Sequence, residues 1–103
     1  MLIVMTTTSS IEEAEILAEQ IVKAKHAACV QIIPKIRSFF YWDEAVTREE
    51  EFLLLIKTLD ANFDDLKDFI HANHSYSVPE VVAIEAARIS DGYADWMNQY
   101  LAG

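Results

Sequence analysis

Apolar side chains open the chain as a continuous run, Met1-Leu2-Ile3-Val4-Met5, and Thr6, Thr7 and Thr8 extend its β character. The run predicts a buried first strand. Ser9 and Ser10 stand three residues ahead of Glu12 and Glu13, so either serine can open a capping box. Behind that cap Ile11, Ala14, Leu17, Ala18, Ile21 and Val22 recur at helical spacing, with Glu12, Glu13, Glu15, Glu19, Lys23 and Lys25 on the other positions. The first helix is expected to run to about His26.

From Ala27 the period changes. Ala28, Cys29, Val30, Ile32 and Ile33 form a strand that Pro34 interrupts, as a bulge or unpaired edge position would. Ile36 resumes it and Phe39-Phe40-Tyr41-Trp42 closes it. Asp43-Glu44-Ala45 makes a tight polar turn, and Val46 to Thr58 reads as a third strand, so the two long strands form a hairpin. Asp60 is the expected cap of a second helix, with Phe63, Leu66, Phe69 and Ile70 inward and Asp64 and Asp65 near its positive end. Val81-Val82-Ala83-Ile84 supplies a fourth strand after Pro79. Ser90 or Asp91 then caps a last helix carrying Tyr93, Trp96, Met97, Tyr100 and Leu101. The order β-α-β-β-α-β-α is an α+β pattern, the ferredoxin-like split βαβ sandwich with a short C-terminal helix, in one domain spanning 1–103.

In that architecture two helices cover one face of an antiparallel sheet, and the other face should alternate with polar residues outward. Here Phe39 to Trp42 and Phe52 to Ile56 are apolar at consecutive positions, which puts large side chains on both faces of the hairpin. An apolar surface of this kind marks an interface. Self-association follows; the number of subunits does not.

Composition narrows the partners. The 103 residues carry a formal charge of −9, with no Lys/Arg cluster, which disfavours nucleic acid and anionic membrane. No apolar run approaches the roughly 20 residues of a membrane helix, and the opening lacks the basic flank of a signal peptide. A single cysteine fits a reducing compartment, so the expected location is cytoplasmic. The chain has 2 glycines, the first at Gly92, which leaves no phosphate-cradling loop near the strands. No local Ser-His-acid or Cys-His pattern is present either, and the expectation is that the protein is not an enzyme.

Five motifs then fall in register: Ala27-Ala28-Cys29-Val30, Ser38 with Trp42, Glu51 through Leu55-Ile56-Lys57-Thr58, His74-x-Tyr76-x-Val78-Pro79-Glu80, and Gly92-Tyr93-x-x-Trp96. In order and spacing they resemble the CutA, or divalent-cation tolerance, family along nearly the whole chain. The resemblance implies a ferredoxin-like subunit, a homotrimer built by long crossing strands, and a link to divalent metal ions. It also exposes departures. The family's Gly-Lys hairpin turn is Glu44-Ala45 here, where a positive φ at Glu44 would cost roughly 1 kcal/mol relative to Gly. Members that resemble copper binders carry a thiol late in the first strand and a His-His pair before Pro-Tyr; the matching positions here are Thr6 and Asn73-His74.

The candidate chemistry is correspondingly narrow. Cys29 lies in an apolar strand and reads as a buried, inert thiol. His71 and His74 sit at the end of the second helix, either as imidazoles favoured by its dipole or as metal ligands sharing one face. Two imidazoles do not close a metal site, so a further ligand would come from another segment or subunit, and copper suits such a site better than magnesium. Glu49-Glu50-Glu51 reads as a solvated strand end, with alternation setting Glu49 and Glu51 on one side and Glu50 on the other; Glu51 and Lys57 also fall on positions that resemble the family's, where a buried or interfacial ion pair is the other expectation. Trp42 and Tyr76 are large enough to wall a pocket at a subunit boundary, or to pack a core or interface. The combined expectation is a trimer that binds copper or another divalent metal weakly near His74. The alternative is a signalling or scaffold trimer like the PII proteins, which resemble CutA in subunit fold and would take a small molecule or partner protein in intersubunit clefts.

Overall fold

The computed structural model describes residues 1–102. The chain runs β1 (Leu2–Thr8), α1 (Ile11–Lys23), β2 (Cys29–Trp42), β3 (Ala45–Thr58), a single 3-10 turn (Asp60–Asn62), α2 (Phe63–Asn73), β4 (Val82–Glu85) and α3 (Asp91–Ala102). The four strands form one antiparallel sheet in the order β2-β3-β1-β4. Splitting β1 from β2 by the antiparallel β3 is the expected split βαβ arrangement.

Period-two alternation assigns the two faces. Leu2, Val4, Phe52, Leu54 and Ile56 face the helices and pack with Ala14, Leu17 and Ile21 of α1 and Leu66 and Ile70 of α2 into the core. The neighbouring Ile3, Met5, Leu53 and Leu55 point the other way and are only half buried. On the helix side Thr6 is fully buried, and its hydroxyl has no hydrogen-bond partner.

Local chemistry explains the element ends. Of the two serines, Ser10 caps α1, its Oγ accepting from the Glu13 amide at 3.1 Å, while the Thr8 hydroxyl donates to the Ser10 carbonyl at 2.8 Å. The helix stops at Lys23 rather than near His26, because Lys25 adopts a left-handed φ of 59°. His26 then donates to the Ile21 carbonyl and Lys25 to that of Val22, both at 3.1 Å, which is a Schellman closure built without glycine. Asp60 does not cap α2. It sits in the preceding 3-10 turn, and the cap position falls to Asn62, whose side chain makes no capping bond; Asp64 and Asp65 do occupy the first turn. The fourth strand and last helix lie within a residue of expectation.

The hairpin holds two irregularities. At its tip Trp42 pairs with Ala45, so Ala45 belongs to the strand and the loop is two residues long. Asp43 (φ 51°) and Glu44 (φ 63°) are both left-handed, as a two-residue turn matched to strand twist requires. Further down, Ile33 pairs with Leu53 but Ile36 with Glu51, so Pro34 and Lys35 stand opposite one residue, and Lys35 has a φ of 56°. This is the bulge that Pro34 signalled. It shifts the parity of β2: beyond it Ser38, Phe40 and Trp42 pair with Glu49, Thr47 and Ala45, on the face away from the helices.

Two substitutions test this account. Glu44→Gly should stabilise the protein by about 1 kcal/mol, read as a higher urea midpoint at unchanged slope. Thr6→Val should also stabilise it, by about 1 kcal/mol, because the orphaned hydroxyl is removed with little change of shape; an unchanged or lower midpoint would mean the hydroxyl is satisfied in solution.

Candidate functional site

The helix-free face carries the candidate side chains at its two ends. At one end the segment after α2 crosses the end of β1. His74 is the C-cap of α2 with extended backbone (φ −100°, ψ 144°), so the helical spacing that would set it beside His71 ends one residue too early. His71 remains exposed on α2. The His74 side chain is fully buried, with Nε2 2.7 Å from the Thr7 carbonyl and Nδ1 accepting from the Tyr76 amide at 3.0 Å. A carbonyl only accepts and an amide N–H only donates, so the ring is the neutral tautomer with its proton on Nε2. Both nitrogens are engaged, and His74 works as a tie between β1 and the loop.

Glu13 completes this corner. Its carboxylate lies 3.7 Å from His74 Nδ1 and accepts from the Ser75 amide and hydroxyl, each at 2.9 Å. The reciprocal half of the capping box therefore does not form, since the side chain that would bond back to the cap is spent on Ser75. A groove of about 570 Å³ between α1 and the end of α2 opens here, lined by Glu13, Asn73, His74 and Ser75 among others. Of the copper-type positions, Thr6 faces the helices and Asn73 donates to the Phe69 carbonyl at 2.9 Å, which leaves His74 without a thiol or a second imidazole beside it.

Beyond His74, the Tyr76 ring packs tilted against the imidazole, with 4.8 Å between ring centres and 46° between planes, and its hydroxyl donates to Glu51 Oε2 at 2.8 Å. Burial first, then the bond to Glu51, hold the Tyr76 phenol well above its ordinary value, so it stays a donor. Glu51 is 5% exposed. Tyr76 and Glu51, together with Trp42, Phe40, Glu49 and Glu80, line a cleft of about 750 Å³ along the outer half of the hairpin. Trp42 and Tyr76, expected to wall a pocket, do line one cleft, and the bulge brings Trp42 to it. The sequence reading assigned Glu13 only a helix-capping role and assigned none to Ser75 or Glu80. Glu80 was visible only as part of the Val78-Pro79-Glu80 motif, and the contact between Glu13 and Ser75 spans 62 residues of sequence.

Lys57 and Cys29 lie at the far end of the same face and are cross-strand partners. Glu51 and Lys57 do not pair: six residues apart on one strand, they are separated by about 20 Å. The Lys57 ammonium instead sits 5.6 Å from the centre of the Tyr93 ring of α3. Cys29 is half buried; burial first and the neighbouring Cys29 thiol second push the Tyr93 phenol up. Among the described residues no three His, Cys, Asp or Glu side chains gather closely enough to hold a metal ion, and no helix is long and apolar enough to cross a membrane.

The cleft has its own pH signature. Burial first, then the charge of Glu51, raise the Glu80 carboxyl above its ordinary 4.5. The native chain then holds more protons than the unfolded chain as pH climbs past 4.5, so this group makes stability fall with rising pH across that window. Glu80→Gln should flatten the thermal stability profile above pH 4.5 and raise the melting temperature at pH 7; a profile that keeps its slope would assign it to other groups.

Comparison with known proteins places this geometry. The model of the family described as "CutA1 divalent ion tolerance protein" matches residues 2–100. The chain is 38% identical over 97 residues to the "Divalent-cation tolerance protein CutA" of Thermus thermophilus, covering 94% of each. It is 40% identical to "Protein CutA, chloroplastic" of Arabidopsis thaliana, over 94% of this chain and 53% of that one. Among solved structures, the "Periplasmic divalent cation tolerance protein CutA" of Archaeoglobus fulgidus superposes with a TM-score of 0.94 at 35% identity, over 98% of this chain and 99% of the other. Sequence and fold agree, and the chain belongs to the CutA1 divalent ion tolerance family.

Proposed function

We propose that the protein serves divalent-cation tolerance as a non-enzymatic homotrimer of the cytoplasm, associating through the β2–β3 hairpin and taking copper or another divalent metal weakly beside His74. The observation that carries the association is the bare hairpin. Phe39, Tyr41, Trp42 and Val46 are 65%, 72%, 57% and 76% exposed in the single subunit. Covering a large apolar side chain is worth about 1.5–3 kcal/mol, so the hairpin supplies a strong drive toward a second copy.

The metal reading rests on one nitrogen and one carboxylate. His74 Nδ1 and Glu13 Oε2 lie 3.7 Å apart on residues that line the groove between α1 and α2, and form a donor pair of the kind copper accepts. Two donors do not fill a coordination sphere, and a metal on Nδ1 must displace the Tyr76 amide. Both facts argue for weak binding with the remaining positions taken by water or a neighbouring subunit. The names of the relatives support the cation link.

Calorimetric titration of Cu(II) into metal-free protein, with solution mass measured on the same sample, tests both parts. Expected are a mass three times that of the chain and micromolar or weaker binding, lost in His74→Ala and weakened in Glu13→Gln. Binding that ignores His74, or no binding, would overturn the metal site; a monomeric mass would overturn the association.

One observation favours a second reading. The cleft of about 750 Å³ walled by Trp42 and Tyr76 has room for a small molecule, as a PII-like signalling or scaffold trimer would need.

A further inference from the structure

The two donor atoms at the His74 corner are not free, because consecutive residues of the loop after α2 hold both of them. Tyr76 donates its amide to His74 Nδ1 at 3.0 Å, and Ser75 donates its amide to Glu13 Oε2 and its hydroxyl to Glu13 Oε1, each at 2.9 Å. We propose that Tyr76, which is not itself a ligand, sets the metal affinity of this corner by latching its own amide and Ser75 over the donor pair. The assignment concerns the regulation of the His74 site and rests on the metal reading.

Three observations carry it. First, the competition is for one lone pair. With its proton on Nε2 and committed to the Thr7 carbonyl at 2.7 Å, the imidazole has a single acceptor, Nδ1, and the Tyr76 amide already uses it. A divalent cation and that N–H cannot both take it. Second, Tyr76 is held at its far end as well. Its hydroxyl donates to Glu51 Oε2 at 2.8 Å, and Glu51 is a fixed point of the sheet, paired with Ile36 where the β2–β3 ladder resumes after the bulge. A hydrogen bond to a carboxylate is of the stronger class, so the side chain ties down the residue whose amide closes the imidazole. Third, the Tyr76 ring packs against that same imidazole, with ring centres 4.8 Å apart, so main chain and side chain of one residue both hold His74.

The sign of the effect follows. The closed corner is the metal-free state, and a metal on Nδ1 needs the open one. A ligand that takes only the open state binds with an affinity reduced by the fraction of molecules that are open. Each bond that keeps the loop closed therefore weakens metal binding, and its removal tightens it. Tyr76 is thus a positioning residue whose loss raises affinity, whereas loss of a ligand, or of a residue that merely supports the fold, lowers it.

The test is calorimetric titration of Cu(II) into the metal-free full chain and its variants, counting only the binding that His74→Ala abolishes. Tyr76→Phe is expected to tighten it about tenfold or more, the factor that a hydrogen bond to a charged group is worth. Glu51→Gln, which leaves the phenol a neutral acceptor, is expected to give a smaller gain. Ser75→Ala, at an exposed position, frees Glu13 Oε1 and is expected to tighten binding several-fold. Hydrogen exchange of the unsubstituted protein, read by mass spectrometry over residues 74–80, needs no variant. Saturating Cu(II) should speed exchange there, since the Tyr76 amide loses its acceptor. Should Tyr76→Phe fail to fold, Ser75→Ala and the exchange measurement decide. His74-dependent binding that is no tighter in any variant, or exchange that stays equally slow with copper bound, would overturn the latch and leave the metal reading standing. No binding to the protein or any variant, or binding that ignores His74, would overturn both.

Discussion

A single extra residue in β2 organises the functional face of this molecule. Pro34 cannot donate to the ladder, and with Lys35 in a left-handed conformation the strand accommodates two residues opposite one before pairing resumes at Ile36 and Glu51. Side chains alternate with a period of two, so the insertion turns every later side chain of β2 over. Ser38, Phe40 and Trp42 thereby share a face with Glu49 and Glu51, while Phe39 and Tyr41 take the other. Without the bulge, the indole and the buried carboxylate would lie on opposite sides of the sheet.

The second constraint is the tie at His74. One neutral imidazole bonds to the Thr7 carbonyl and to the Tyr76 amide, and so pins the segment after α2 across β1. Glu13 and Ser75 reinforce the corner from α1. That anchoring sets Tyr76 where its hydroxyl meets Glu51. The cleft and the His74 corner are thus mechanically linked, since both depend on the course of the same few residues. Any ligand that pulls the imidazole out of its bonds would also loosen one wall of the cleft.

Apolar surface and acidic charge divide the rest. The core between α1, α2 and the sheet is closed by aliphatic side chains within one subunit. The hairpin and the helix-free face are not, and Phe39, Tyr41, Trp42 and Val46 stay exposed on a subunit of charge −9.

Period and punctuation in the sequence determined the elements, their order, the bulge at Pro34, the strained turn at Glu44 and the two-faced hairpin, because each of these is a local consequence of side-chain spacing or backbone freedom. Helix ends were less legible: Lys25 in a glycine-type role and the 3-10 turn before α2 are choices between conformations of similar energy. The site was legible only in part. Motif spacing pointed to Trp42, Tyr76, Glu51 and His74, but the tertiary structure decided that Glu51 meets Tyr76 and not Lys57, that His74 turns into the fold away from His71, and that Glu13 leaves its own helix cap for Ser75. Those pairings join residues from 25 to 67 positions apart, and hydrogen-bonding groups with several partners of equal chemistry are sorted only when packing brings one of them within about 3 Å.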